Sequence, residues 1–232
     1  MYKRQAVILA IGHSARDTVE MLYKNGAQII QKPFSVGARI EHPQKLIDKA
    51  QYGAFAGHPK LGAADYKLSC HGLHQRGAYT FCMCPGGTVV AAASEKGGVI
   101  VNGMSTLARD GENANSALLV GIDPVDFPSE HPLAGMYYQR EIEQNAFALG
   151  GGDYRAPAQL VGDFLADRKS RALGNVQPTC PTGVTLTNLR YCLPDKVRTP
   201  CRRPLRRWTS GSTALPCRTR CLLCLLYTSD AA

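Results

Sequence analysis

The sequence predicts an α/β protein in two parts: a strand–turn–helix unit, followed by an α+β domain with a mostly antiparallel sheet. Three observations favour this class. In "AVILAIGHSARDT", an apolar run leads through Gly-His-Ser into a segment that starts a helix. Short apolar or alternating runs between turn residues follow, and two helical periods come last. With 232 residues, 44% of them hydrophobic, the chain can bury one good core.

The opening unit is interpreted as a buried strand, Ala6 to Ile11, that turns into a short helix. Ser14 and Asp17 have the spacing at which a hydroxyl and an acid cap a helix start. Gly26 supplies the stop. The turn of Gly-His-Ser would lie at the carboxyl end of the strand, where open α/β sheets bind their ligands.

Five further strands are predicted from runs bounded by Pro, Gly and charged turns. They are "SVGARIE" (35–41), "AYTFCMC" (78–84), "TVVAAA" (88–93), "GVIVNG" (98–103) and "SALLVGI" (116–122). The third and fourth of these strands flank Ser94–Gly97, which predicts a hairpin with a four-residue connection. Two helices are expected after them, one from about Leu133 to Leu149 and one opened by Pro157.

The net charge of +9 is concentrated at one end of the chain. Residues 196–232 hold eight Lys and Arg against one acid, Asp230, so the rest is nearly neutral. This distribution argues against a nucleic-acid partner, although a basic-tailed nucleic-acid-binding protein stays an alternative. Because the sequence has neither a secretory signal nor an apolar run of about 18 residues, we predict a cytoplasmic protein with no membrane partner.

The basic end, residues 200–232, is predicted to be a non-native tail produced by a frame change and adapter sequence. It mixes Arg, Pro, Ser and Cys without a sustained helical or strand period, and "LLYTSDAA" is typical of translated adapters. The alternatives are a basic arm that binds nucleic acid or a membrane surface and a zinc site formed by Cys217, Cys221 and Cys224. The zinc alternative lacks a fourth ligand at a usual spacing.

Several catalytic motifs are missing from the sequence, among them G-x-G-x-x-G, the P-loop, H-E-x-x-H and G-x-S-x-G. The densest group of reactive side chains is "CHGLHQRGAYTFCMCPGG", which contains Cys82 and Cys84. Its spacing is a poor zinc template, so we predict no metal site. The two cysteines are either buried core side chains or face a cofactor, since Gly86 and Gly87 allow a ligand to approach the backbone.

A second polar segment runs from Asn102 to Val120. It holds Asn102, Ser105 and Arg109, together with further Asn and Ser residues, between two strands. A solvated loop and a ligand-contacting loop both remain open, because loops are rich in such residues in either case.

Together these segments resemble the bacterial FAD-dependent dehydrogenase-like proteins within the NAD(P)/FAD-dependent oxidoreductases. The resemblance covers roughly residues 6–199. It depends on "VILAIGHSARDT", "KPFSVGARIEHPQ", "LGAADYKL", "YTFCMCPGGTVVAAASEKGGVIVNGMS", "NANSALLV" and "DYRAPAQLVGDFL". In that family the first string belongs to a later strand of a Rossmann-type FAD-binding domain, so the chain resembles an internal fragment.

This resemblance implies a flavoprotein that transfers hydride through FAD to or from a small-molecule substrate, with NAD(P)H as a candidate co-substrate. The implied organisation is a partial FAD-binding segment at 6–34, an α+β substrate domain at 35–199 and the tail at 200–232. Carried over by position, the cofactor-binding candidates are Ala10, Gly12, His13 and Ser14. The catalytic candidates are Cys82 and Cys84, and the substrate-domain loop candidates are Gly86, Gly87, Asn102, Ser105 and Arg109.

One further class, a non-catalytic α+β binding module, also fits the run of strands. The oxidoreductase hypothesis also predicts how this polypeptide behaves when it is isolated. A helix N-terminus behind a glycine loop is the principal site for the FAD pyrophosphate. Since the sequence lacks that loop, we expect the chain alone neither to fold cleanly nor to retain FAD.

Overall fold

The structure is a computed structural model that describes residues 6–71, 76–210 and 221–228. The helices are α1 (Arg16–Lys24), α2 (Gln44–Tyr52), α3 (Ala134–Gly150), α4 (Val161–Ala166) and α5 (Asp195–Ser210). The strands are β1 (Phe34–Pro43), β2 (Ser69–Cys70), β3 (Ala78–Cys84), β4 (Gly87–Ala91), β5 (Val101–Ser105), β6 (Asn113–Ile122), β7 (Ala156–Leu160), β8 (Val184–Leu186) and β9 (Cys221–Thr228).

Seven strands form one sheet in the order β2-β3-β6-β1-β9-β7-β8, and β4 pairs with β5 in a separate hairpin. All described pairs are antiparallel except β7 with β8. The prediction of a mixed α/β protein with a mostly antiparallel sheet is therefore confirmed. Strands β1, β3 and β6 and helix α3 are also confirmed at the predicted places.

The centre of the sheet has one apolar and one polar face, because side chains alternate along a strand. Val36, Ala38 and Ile40 of β1 lie on the face that carries Leu118 and Val120 of β6, and all five are buried in the main core. The opposite face carries a buried polar set from the same two strands: Ser35, Arg39, Glu41, Asn113 and Asn115. Both faces of β1 are thus buried, whereas the alternating sequence predicted one core face.

Helix α5 shows that part of the basic end is packed. Val197, Cys201 and Leu205 recur every four residues and belong to the main apolar cluster. Burial raises the pKa of the Cys201 thiol to about 12. The prediction that no helical period continues past residue 200 was wrong, because the polar arginines between these positions hide a narrow apolar stripe. Whether residues 200–232 are non-native stays a prediction.

The opening segment does not form the predicted strand. Residues 6–11 have no regular structure, and Val7 and Ile8 are 86% and 92% exposed. None of the described strands lies beside this segment, so its backbone has no ladder of hydrogen-bond partners. The Rossmann fragment at 6–34 is therefore not shown by the structure.

Helix α1 forms, but not with the predicted cap. Ala15 precedes the helix and no side chain caps it, while Asp17 accepts a hydrogen bond from the amide of Thr18 instead. The predicted stop is confirmed, since Gly26 follows the helix with φ +87°. This left-handed conformation is one that glycine adopts at little cost.

Two boundaries downstream differ from the prediction. The hairpin of β4 and β5 is confirmed, but its connection spans residues 92–100 rather than four residues. Pro157 opens no helix and lies in β7 instead. The proline is tolerated because the backbone hydrogen bonds between β7 and the β8 region are made by Ala156 and Ala158, not by Pro157. The pairing of β7 with β9 begins only at Ala158, so Pro157 need not donate on that side either.

Glycine at position 37 is required by the pairing of β1 with β6. A Cβ atom there would overlap the backbone carbonyl of Leu118, which the sheet holds in place. We expect Gly37→Ala to lower the free energy of unfolding by about 1–3 kcal/mol through overpacking. Gly121→Ala in β6 is the matched control, because nothing lies within 4 Å of its added Cβ. Urea unfolding of both variants checks this, and an equal loss in both would contradict it.

Candidate functional site

A bulge at the end of β3 sets the geometry of the candidate site. Phe81 pairs with Ala117 and Cys84 pairs with Asn115, so β3 holds one residue more than β6 over this stretch. Cys82 in the bulge has φ +48°, a left-handed conformation that is unfavourable for a side chain with a Cβ. Such strain is concentrated at functional sites. The bulge leaves Cys82 exposed and turns Cys84 inward.

Arg39 is the charged centre of the polar sheet face and is fully buried. Its Nη1 donates to Asn115 Oδ1 at 2.6 Å and to the Cys82 carbonyl at 3.3 Å, and its Nη2 donates to Asn102 Oδ1 at 2.9 Å. Cys84 Sγ lies 4.0 Å from Nη1. Within the described ranges no carboxylate pairs with this guanidinium, and burial lowers the pKa of Arg39.

Two donors of this cluster are unmatched in the part of the chain that the structure describes. Arg39 Nε and Asn115 Nδ2 are buried and have no hydrogen-bond partner among the residues that the structure describes. An unmatched buried donor costs about 1–3 kcal/mol, so such groups call for an explanation. The cluster has a positive charge and spare N–H groups, which suit a ligand or reaction step that adds negative charge or acceptor atoms.

The two thiols differ in environment. Burial raises the pKa of the Cys84 thiol, and the nearby Arg39 charge opposes this rise only in part. Cys84 therefore holds its proton at neutral pH, with Sγ donating to the carbonyl of Cys82 at 3.4 Å. Cys82 is the one exposed thiol among the six free cysteines whose side chains are described.

The turn after β3 packs closely against the loop after β5. Gly86 has φ +49°, and a Cβ there would overlap the backbone of Arg109, itself at φ +52°. A Cβ at Gly87 would lie 2.9 Å from both Cys84 Cβ and Ser105 Oγ. Ser105 Oγ donates to the carbonyl of Pro85 at 2.7 Å. Backbone proximity thus fixes the position of the turn beside the thiols.

The structure brings most of the predicted loop residues together. Gly87, Asn102 and Ser105 surround the cysteines and Arg39, and Gly86 ties this group to the backbone of Arg109. The side chain of Arg109 belongs to a separate cavity of about 500 Å³ that Lys45 and Asp48 also line. The roles assigned to these residues stay predictions.

Three residues of the cluster were missed from the sequence: Arg39, Glu41 and Gln44. Arg39 and Glu41 were predicted only as part of an alternating strand, and Asn115 was predicted only as one of the polar residues between Asn102 and Val120. Glu41 accepts from Asn113 Nδ2 and from Thr179 Oγ1, and burial raises the pKa of Glu41. Gln44 Oε1 accepts from the amide of Gly86 at 2.8 Å. The available signal was Arg and Glu on one strand face opposite Asn on another, a pattern typical of a buried polar network.

The predicted cofactor-binding residues lie in a different place, just before α1. Ala10, Gly12, His13 and Ser14 are exposed. Ser14 lines a polar cavity of about 430 Å³ together with Arg16, Lys96 and Arg140, among others. Whether this segment holds a cofactor stays a prediction.

An ion network beside this cavity fixes α1 to α3. Arg16 pairs with Glu143 and Glu95 at 2.6 Å each, and Arg140 pairs with Glu95 at 2.7 Å and with Glu20 at 2.9 Å. Hydrogen bonds from Arg140, and then from Arg16, lower the pKa of Glu95 to about 2. These contacts position the opening helix although the segment before it is exposed.

Comparison with known proteins assigns the chain to a family. Residues 33–218 match the family described as "FAD-dependent protein, C-terminal domain-like". The chain belongs to this family. The resemblance to FAD-dependent proteins is confirmed at that level, whereas membership in the NAD(P)/FAD-dependent oxidoreductases stays a prediction.

The chain is also similar to a longer relative. An "Uncharacterized protein" from Clostridium beijerinckii (strain ATCC 51743 / NCIMB 8052) is 56% identical over 194 residues. This alignment covers 83% of the chain but 36% of the relative, so the chain spans about a third of the relative's length.

Metal ligand sets and membrane-spanning helices are both missing from the described ranges. Among those residues no three or more His, Cys, Asp or Glu side chains come together as a metal ligand set. No helix described there is both long and apolar enough to cross a membrane.

Glu95 makes stability depend on acid pH. Its folded-state pKa of about 2 lies below the ordinary 4.5, so its contribution is complete above pH 4.5 and is lost as the pH falls toward 2. We expect Glu95→Gln to lower the free energy of unfolding by about 1 kcal/mol at pH 7, a modest amount because the network is partly exposed. Between pH 4.5 and pH 2 the variant should lose less stability than the unchanged chain. Thermal unfolding from pH 7 to pH 2 measures both effects. Asp153→Asn, in an exposed pair with Arg155, should change neither.

The hydrogen-bonded side chains of Arg39 and Asn115 fill the space next to Gly103, because this residue has no side chain. A Cβ at this position would overlap Asn115 Oδ1 and Arg39 Nη1. Because both side chains are buried and hydrogen-bonded, we expect Gly103→Ala to destabilise the fold by about 1–3 kcal/mol. Met104→Ala, on the exposed side of the same strand, should have little effect. Equal denaturation midpoints for the two variants would show that the pair is not held against Gly103.

Proposed function

We propose that this chain is the substrate-domain part of an FAD-dependent oxidoreductase and that the cluster of Arg39, Cys82 and Cys84 faces the flavin. The single observation that carries the proposal is an exposed thiol in a strained bulge beside a buried arginine that has no carboxylate partner among the described residues. It occurs in a chain that belongs to an FAD-dependent family.

The positive charge of the cluster suits an isoalloxazine ring placed against the exposed Cys82. Arg39 Nε and Asn115 Nδ2 are buried and unmatched among the described residues, so the guanidinium acts on the ring through space rather than by direct contact. When bound, FAD supplies two-electron chemistry, while protein groups tune its electronics. A buried positive charge near the ring favours the reduced, more negative form. Arg39 is the residue of this chain suited to that role.

The remaining residues have positioning roles in this proposal. Gly86 and Gly87 keep the turn close to the thiols, and Asn102 holds the second nitrogen of the Arg39 fork. Cys84 keeps a proton at Sγ, and Cys82 is the group that a substrate can reach. Ser105 and Arg109 belong to the substrate loop. Ala10, Gly12, His13 and Ser14 line the cofactor from the segment before α1.

Hydride exchange with NAD(P)H and with a small-molecule substrate completes the proposed activity. A non-catalytic binding module would need the same fold. It gives no reason for a non-glycine residue at φ +48° that presents a thiol.

A full-length family member that contains this segment tests the proposal. We expect it to purify with FAD, and Arg39→Met to make the flavin midpoint potential more negative by about 30 mV, which for two electrons corresponds to about 1.4 kcal/mol. Arg155→Met, at an exposed arginine, is the control and should leave the potential unchanged. A protein without flavin would refute the cofactor assignment. Equal potentials in the two variants would refute the placement of Arg39.

A further inference from the structure

We propose that Cys82 and Cys84 form a redox-active dithiol that reduces a small disulfide compound. The pair would cycle between two thiols and an intrachain disulfide between Cys82 and Cys84. The inference deepens the proposed function and depends on it for one step only, the return of electrons to the disulfide, for which reduced flavin is the donor. The exchange with the substrate itself needs only the two cysteines.

The two cysteines are neighbours on the bulged part of β3, and the Cys84 thiol lies against the backbone of Cys82. Residues two apart on a straight strand are separated by two rises, about 6.6–6.8 Å between Cα atoms, which is at the upper limit for a disulfide. The pairing with β6 shifts register between Phe81 and Cys84, so β3 departs from straight strand geometry where the two cysteines lie. The Cys84 thiol already reaches back to Cys82, whose carbonyl it contacts at 3.4 Å.

The environments of the two thiols match the two roles of a dithiol. Cys82 is exposed and can meet a disulfide from solution, so it is the attacking cysteine. Cys84 is 7% exposed and lies beside Arg39 and Ser105, so it is shielded from external disulfides and can react only with a sulfur already attached to Cys82. Cys84 is therefore the resolving cysteine.

Arg39 supplies the charge that the resolving step needs. Cys84 must lose its proton before it attacks, and burial alone disfavours the thiolate. The guanidinium at 4.0 Å is a cation without a carboxylate partner among the described side chains, and a Cys84 thiolate would be its counter-ion. The same arginine donates to the carbonyl of Cys82, which keeps the bulge next to this charge.

The exchange balances in atoms and electrons. The Cys82 thiolate attacks one sulfur of the substrate disulfide, the substrate S–S bond breaks, and one substrate thiolate leaves and takes a proton. Cys84 then gives up its proton and attacks the Cys82 sulfur, which releases the second substrate half as a thiol. Two electrons and two protons have passed from the cysteines to the substrate, and one S–S bond has replaced another.

The chain offers a direct test, because trypsin cuts after Arg76 and Lys96 and releases both cysteines in one peptide without any other cysteine. A full-length family member that contains this segment is incubated with glutathione disulfide, alkylated, digested and analysed by mass spectrometry. We expect peptide 77–96 to lose two hydrogen atoms and to resist alkylation until dithiothreitol restores both thiols. Cys70, which is buried and lies in the preceding peptide, reports whether the chain is folded, since it should stay unmodified.

Two variants separate the roles. Cys84→Ser should accumulate a stable glutathione adduct on Cys82, and Cys82→Ser should abolish the reaction of this peptide. Cys70→Ser is the matched control and should behave as the unchanged chain. A lasting glutathione adduct on Cys82 of the unchanged chain, or free alkylation of both cysteines after oxidation, would overturn the dithiol. If the disulfide forms but the full-length protein holds no flavin, the proposed function fails and the dithiol stands.

Discussion

The burial of Arg39 is the constraint on which the centre of this domain depends. Removing a guanidinium from water is costly unless most of its donors are matched. Here the acceptors for Nη1 and Nη2 come from three strands: Asn115 on β6, Asn102 on β5 and the bulged carbonyl of Cys82 on β3. The hairpin must therefore lie against the polar sheet face, with glycine at position 103 because no side chain fits there. The position of the thiols follows from the same set of contacts.

A second buried polar group, Glu41, holds the neighbouring region in a similar way. Its carboxylate binds Asn113 of β6 and both the amide and the hydroxyl of Thr179. Thr179 Oγ1 also accepts from the amide of Val89 at the hairpin. One strand face thus connects the sheet, the hairpin and the segment before β8 through polar contacts, while the other face forms the apolar core.

The sequence predicted the strands that alternate or are apolar, because their pattern follows directly from which face is buried. It failed for Ala6 to Ile11, whose apolar residues suggest a strand but have no described neighbour to pair with. It also failed at Pro157, where a local rule for helix starts was overridden by the pairing of β7. The cysteines, Gly86, Gly87, Asn102 and Ser105 could be identified as reactive or turn residues. Arg39 could not, since a strand pattern does not say whether its polar face meets water or another layer.

The side chain of Asn102 links the outer surface of the hairpin to the buried Arg39. It is exposed, yet its side-chain oxygen accepts from the buried Nη2 of Arg39 and from the amide of Gly103. Whatever binds at the outer surface of β5 and draws on that oxygen competes with the guanidinium for it. With that oxygen taken, Asn115 and the Cys82 carbonyl would be the remaining acceptors of the guanidinium, so binding at the surface of β5 would alter the contacts of the buried charge beside the thiols.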